Sequence, residues 1–140
     1  MRRIAFLIAL QAVSLVAARP AWACTCMPPP PPLAIAARSA LVFEGTVSAL
    51  SSDANYLYAE VTVLRRWKAP DVKALVIATP VLGGAACGLE YRVGQTWLFY
   101  TQSDCGTQVA SLCTYAKPIA NAAADIVALG TPLPPGEDLP

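Results

Sequence analysis

The order and periodicity of the chain predict a mainly β fold, a small closed or nearly closed barrel of the OB type flanked by helices. Three observations predict it. Residues 56–67 alternate cleanly, with Leu57, Ala59, Val61 and Val63 on one face and Tyr56, Tyr58, Glu60 and Thr62 on the other. Turn signals recur at short intervals, at 51–55, at Pro70-Asp71 and at Gly83-Gly84. The helical segments stand at the two ends of this β region and not between its strands, which disfavours a βαβ arrangement.

Taken in order, the first 23 residues read as an export signal. Arg2 and Arg3 supply a positive start, and residues 4–18 form an apolar run of 15, short of the roughly 20 needed to span a bilayer. Ala21-Trp22-Ala23 then places small residues at −3 and −1 of a cleavage site. An uncleaved anchor is one alternative. A lipoprotein is another, since Cys24 follows the cut, but Trp22 is bulky where a lipobox takes a small residue and Leu is absent at −3. Cleavage after Ala23 leaves 117 residues with 7 basic and 9 acidic side chains, a formal −2.

The mature chain opens on Cys24-Thr25-Cys26-Met27 and five prolines, residues 28–32, a stiff polyproline II rod that cannot join a sheet. Residues 33–41 are helix formers with one charge. Residues 42–50 are a strand, and Gly45 inside it marks a bulge or sharp coil. The strand at 56–67 follows the polar turn 51–55, and a β-branched strand at 74–82 carries Pro80 as an edge or exit signal. A loop with Cys87-Gly88 leads to the strand at 96–101 (Thr-Trp-Leu-Phe-Tyr-Thr). Residues 102–112 are polar and turn-like, with a weak strand at 108–112. A helix at 121–129 stops at Gly130, with Pro132 beyond it. The tail 131–140 holds four prolines and is expected to be disordered.

Composition excludes whole classes of function. With no histidine there is no Ser-His-Asp or Cys-His relay and no His-ligated metal. A formal charge of +1 for the whole chain argues against a nucleic-acid binder, which would show a basic surplus. All five cysteines, at 24, 26, 87, 105 and 113, lie in the mature part, and an exported chain with this usage forms disulfides. Five is odd, so one thiol stays single or pairs with another molecule; spacing alone does not choose which. An exposed Cys105, flanked by Asp104 and Gly106, would be able to link two chains.

Cys24-Thr25-Cys26 is the candidate site. Two cysteines at i and i+2 serve as soft-metal ligands, redox thiols or separate disulfide anchors. As residue one, a bonded Cys24 would also hold a free α-amine beside its own carbonyl oxygen, and those two atoms form a five-membered chelate for a divalent metal. An α-amine with a pKa of about 7.7–8 reaches its neutral, metal-binding form near neutral pH.

Cys24-Thr25-Cys26-Met27-Pro28-Pro29 resembles the mature start, Cys-x-Cys-x-Pro, of the tissue inhibitors of metalloproteinases. The helix at 33–41 and Val42-Phe43-Glu44-Gly45-Thr46-Val47 are similar to that family's first helix and strand. Ala86-Cys87-Gly88 resembles its Val-Cys-Gly loop, Trp97-Leu98-Phe99-Tyr100 its next strand, and Leu112-Cys113 its pre-helix cysteine. The resemblance covers residues 24–130 and implies a netrin-like OB-fold domain, a five-stranded barrel with flanking helices, stapled by disulfides. It implies the pairs Cys24–Cys87 and Cys26–Cys113, which leaves Cys105 single. The family's third disulfide of this domain and its cysteine-rich C-terminal subdomain are absent here.

The function so implied is a secreted or periplasmic metalloendopeptidase inhibitor that is not itself an enzyme and carries no cofactor of its own. The Cys24 amine and carbonyl would chelate the zinc of the target, Thr25 would enter its S1′ pocket, and Cys26, Met27, Pro28, Ala85 and Ala86 would add contact. Its partner is then a zinc metalloendopeptidase, with no nucleic acid, no transmembrane segment in the mature chain, and a dimer through Cys105 as an added possibility. The alternative is a structural or adhesive netrin-like module of the envelope, its cysteines being only anchors. A redox or copper protein is the third reading, for which Met27 and Met1 are the only methionines. Intact-mass analysis of the exported protein should find a chain beginning at Cys24 with a free amine. Retention of Met1, or a diacylglyceryl mass on Cys24, would remove the basis of the inhibitor reading.

Overall fold

The computed structural model describes residues 24–81 and 87–135; the export signal expected at 1–23, Ala85 and Ala86, and residues 136–140 lie outside the described residues. Seven strands form one curled sheet: β1 (Val42–Ser52), β2 (Tyr56–Lys68), β3 (Ala74–Pro80), β4 (Thr96–Tyr100), β5 (Gln102–Asp104), β6 (Thr107–Val109) and β7 (Lys117–Pro118). Their order is β5-β6-β3-β2-β1-β4-β7. All neighbours are antiparallel except β3 and β6, which run parallel. Two helices, α1 (Pro32–Arg38) and α2 (Ala123–Leu129), and two short 3-10 turns, η1 (Leu112–Thr114) and η2 (Ile119–Asn121), complete it. No helix among the described residues is long and apolar enough to cross a membrane.

Each expected element is present, and the sheet has seven strands where five were expected. The two extra pairings are short. β5 and β6 close a two-residue turn at Cys105-Gly106, with φ of 46° and 86°, in a stretch too polar to show a hydrophobic period. β7 is two residues long and includes Pro118, a residue tolerated only at a sheet edge, where β7 lies.

The core is built around the neighbouring strands β1 and β4. Their alternate residues feed two clusters on opposite faces. Phe43 and Val47 of β1, Trp97 and Phe99 of β4, and Ala59, Val61 and Val63 of β2 fill the concave side. Val42, Leu98 and Tyr100 face the other way, onto Ile35 of α1 and Ala122 beside α2. Phe43 and Phe99 stack at 4.9 Å, and Tyr91 meets Trp97 edge-on at 5.1 Å. β2 is covered on one face only, which is why its sequence alternates and that of β4 does not.

Among the described residues the buried side-chain polar groups are paired, except the Tyr91 hydroxyl, which has no partner. Asp125 accepts from the Tyr100 hydroxyl at 2.9 Å and from Lys117 Nζ at 2.9 Å, which ties α2 to β4 and β7. Burial, with this bond to a carboxylate second, holds the Tyr100 phenol well above the usual tyrosine range. Arg66, 1% exposed, donates to the Pro134 carbonyl at 3.2 Å and pairs with Asp71 at 3.4 Å. Its own backbone exchanges hydrogen bonds with Leu133, at 2.9 and 2.7 Å. The disorder expected from residue 131 is therefore corrected for 131–134: backbone pairing and a buried guanidinium hold this stretch against β2, despite its prolines.

Gly45 lies where β1 shifts register against β2, between Glu44 and Gly45. A Cβ there would stand 2.4 Å from Val61 Cγ1 and 2.8 Å from the Thr62 carbonyl oxygen. Gly45→Ala should therefore lower the unfolding free energy in urea by about 1–3 kcal/mol; an unchanged midpoint would show that β1 does not approach β2 this closely.

Candidate functional site

Residues 24–30 run as an extended arm, with α1 starting at Pro32; Pro31 has the polyproline values φ −54° and ψ 146°. Prolines without backbone donors keep this arm out of the sheet. Three attachments fix its first four residues. Cys24 is bonded to Cys87 and Cys26 to Cys113, with Cα separations of 5.3 and 5.2 Å, the pairs implied by the resemblance. The Tyr115 hydroxyl donates to the Met27 carbonyl at 3.2 Å. Thr25, Met27 and Pro28 are exposed, Met27 by 80%, while Cys24 and Cys26 are half-buried.

The receiving frame is built from two segments that are themselves joined, since the Leu112 amide donates to the Cys87 carbonyl at 2.9 Å. Cys87 has a left-handed φ of 52°, unusual for a residue with a side chain. The following Gly88 lies so near β3 that a Cβ would sit 1.9 Å from the Pro80 carbonyl oxygen. Leu89 then donates its amide to Thr79 Oγ1 at 2.8 Å, and that hydroxyl is fully buried. On the other side Cys113 sits in η1, whose start is closed by the Ser111 amide donating to Thr114 Oγ1 at 3.0 Å. Tyr115 ends η1 with φ 68°, which turns its hydroxyl toward the arm.

The structure thus brings together Cys24, Thr25, Cys26, Met27 and Pro28 with Cys87 and Cys113. Cys105 is elsewhere, exposed at the β5–β6 turn, as a free thiol. A cavity of about 140 Å³ behind the arm is bounded by Pro30, Arg38, Gln102, Cys113 and Tyr115. Its volume is below the roughly 300–1,000 Å³ of sites that enclose a small-molecule ligand. The arm is the prominent feature, with Thr25, Met27 and Pro28 exposed along it.

Sequence reasoning did not find Tyr115, Leu112 or Thr79 as supports of the arm. Ser111 and Thr114 carry the spacing of a capped turn, a readable signal for η1. The reach of Tyr115 depends on a left-handed backbone that no residue type at 115 announces.

No family model and no characterised protein matches this chain. The geometry predicts that Gly88→Ala pushes the Cys87 segment off β3. Oxidative refolding of that variant should give mixed cysteine pairing on non-reducing peptide mapping, with a stability loss of about 1–3 kcal/mol. Native pairing with an unshifted melting temperature would contradict this role for Gly88.

Proposed function

We propose that the chain is an exported inhibitor of zinc metalloendopeptidases, built on a netrin-like OB-fold and acting through residues 24–28. One observation carries this reading: the first four residues after the predicted cleavage point are clamped by two disulfides to the Cys87 segment and to η1, and still keep Thr25 and Met27 exposed. A segment already held in an extended form loses little conformational entropy when an enzyme cleft closes on it.

The chemistry follows from processing. Once Ala23 is removed, the α-amine and the carbonyl oxygen of Cys24 stand on adjacent atoms of one residue whose side chain is fixed by Cys87. A catalytic zinc keeps a coordination position for water, and this amine takes it. Thr25 follows into the pocket on the primed side, with Met27 and Pro28 as flanking contacts. The zinc belongs to the target; the inhibitor supplies ligands and no cofactor. Because only the neutral amine binds metal, inhibition strengthens as pH rises through about 7.7–8.

Adding one Ala ahead of Cys24 converts the amine to an amide, a poor ligand, and puts bulk at the metal. Against a panel of zinc endopeptidases the extended protein should lose at least about 100-fold in inhibition constant, on the order of 3 kcal/mol, with its melting temperature unchanged. Thr25→Gly should cost less, since it removes pocket contacts and leaves the chelate. Equal inhibition by the extended and native forms would refute the chelate. Inhibition by neither would favour a structural or adhesive module of the envelope.

A further inference from the structure

The two disulfides lie side by side. The Sγ atoms of Cys26, Cys87 and Cys113 all lie within 4.8 Å of one another, and the fourth sulfur, that of Cys24, is bonded to one of them. Four sulfurs gathered at one point have a second chemistry. Two equivalents of a dithiol reductant, each oxidised to its own disulfide, deliver four electrons and four protons and convert the two bonds into four thiols. Thiolates are soft ligands that select zinc and related thiophilic ions.

The spacing suits one ion. Tetrahedral zinc with Zn–S bonds of about 2.3 Å separates its sulfurs by about 3.8 Å. A disulfide holds its two sulfurs about 2.0 Å apart, so on reduction each bonded pair opens toward that value. The Cys87 sulfur, within 4.8 Å of those of Cys26 and Cys113 now, closes on them by about 1 Å or less to reach it, and Cys24 enters as the neighbour to which Cys87 is bonded. Rotation of the side chains covers both movements. The backbone around them has ties that do not involve sulfur: Leu112 N–H to the Cys87 carbonyl at 2.9 Å, Leu89 N–H to Thr79 Oγ1 at 2.8 Å, and the Tyr115 hydroxyl to the Met27 carbonyl at 3.2 Å.

We propose that Cys24, Cys26, Cys87 and Cys113 form a redox-alternating site. Oxidised, it clamps the arm; reduced, it binds one zinc ion through four thiolates, releasing four protons as it does so. The two states exclude one another, because each sulfur is used either in a disulfide or on the metal. The proposal does not depend on inhibition of any protease, since it concerns only the cysteines of this chain.

The test uses the full chain, reduced with a phosphine under argon and titrated with cadmium, whose thiolate-to-metal absorption reports the ligands directly. Absorption should saturate at one cadmium per chain, with the β-sheet circular dichroism of the oxidised protein retained or restored at the endpoint. Cys113→Ser and Cys26→Ser should each weaken binding by about tenfold or more, while Cys105→Ser should leave the titration unchanged. Zinc should displace the cadmium in competition. Absence of a saturating band, a band insensitive to both substitutions, one lost with Cys105→Ser, or binding without the sheet spectrum would each overturn the proposal.

Discussion

Everything at the arm depends on two crosslinks that interleave. Cys24–Cys87 spans 63 residues and Cys26–Cys113 spans 87, so each closes a loop containing one end of the other. In the chain-entropy account the first stabilises by about 4 kcal/mol. The second then closes a shorter path, out through Cys24 and on from Cys87, on the order of 30 residues, and adds about 3.5 kcal/mol. Against a total of about 5–15 kcal/mol for a domain of this size, that is a major share of the stability. It falls on the segment with the least packing of its own, since polyproline carries no backbone hydrogen bonds.

The sheet provides the rigid ground that such crosslinks need. The first half of β1 and β4 are buried on both faces, one against the concave cluster and one against the helices. Strands held this way leave the sheet's ends free to carry other tasks. One end takes the Cys87 segment, pressed on β3 through Gly88 and Thr79; the Asp125–Lys117–Tyr100 group fixes α2 against the edge at β7. Removing Lys117 would be costly, because it would leave the buried Asp125 carboxylate without its counter-charge.

Legibility in the sequence followed burial. The half-covered β2 was readable through its alternation, and α2 through Gly130 and Pro132 at its end. β4 was readable as a β-rich run because both of its faces are apolar. β6 was readable only as a weak strand at 108–112, and β5 and β7 were not readable, because their pairing is set by the neighbour they meet and two or three residues show no hydrophobic period. The tail at 131–134 misled for a related reason: its composition is that of a free end, and its order comes from Arg66, 65 or more positions earlier in the chain. At the site, the two cysteine pairs followed from the resemblance and not from spacing, and the Tyr115 contact depends on a backbone conformation that residue types do not encode.

The central claim is that the first residue of the mature chain supplies ligands to a metal held by another protein. Substituting cobalt for zinc in a susceptible endopeptidase makes that event visible, because replacing bound water by an amine and a carbonyl changes the ligand field of the cobalt. Addition of the protein beginning at Cys24 should shift the visible spectrum in step with inhibition, saturating at one chain per enzyme. Inhibition that leaves the cobalt spectrum untouched would contradict the account.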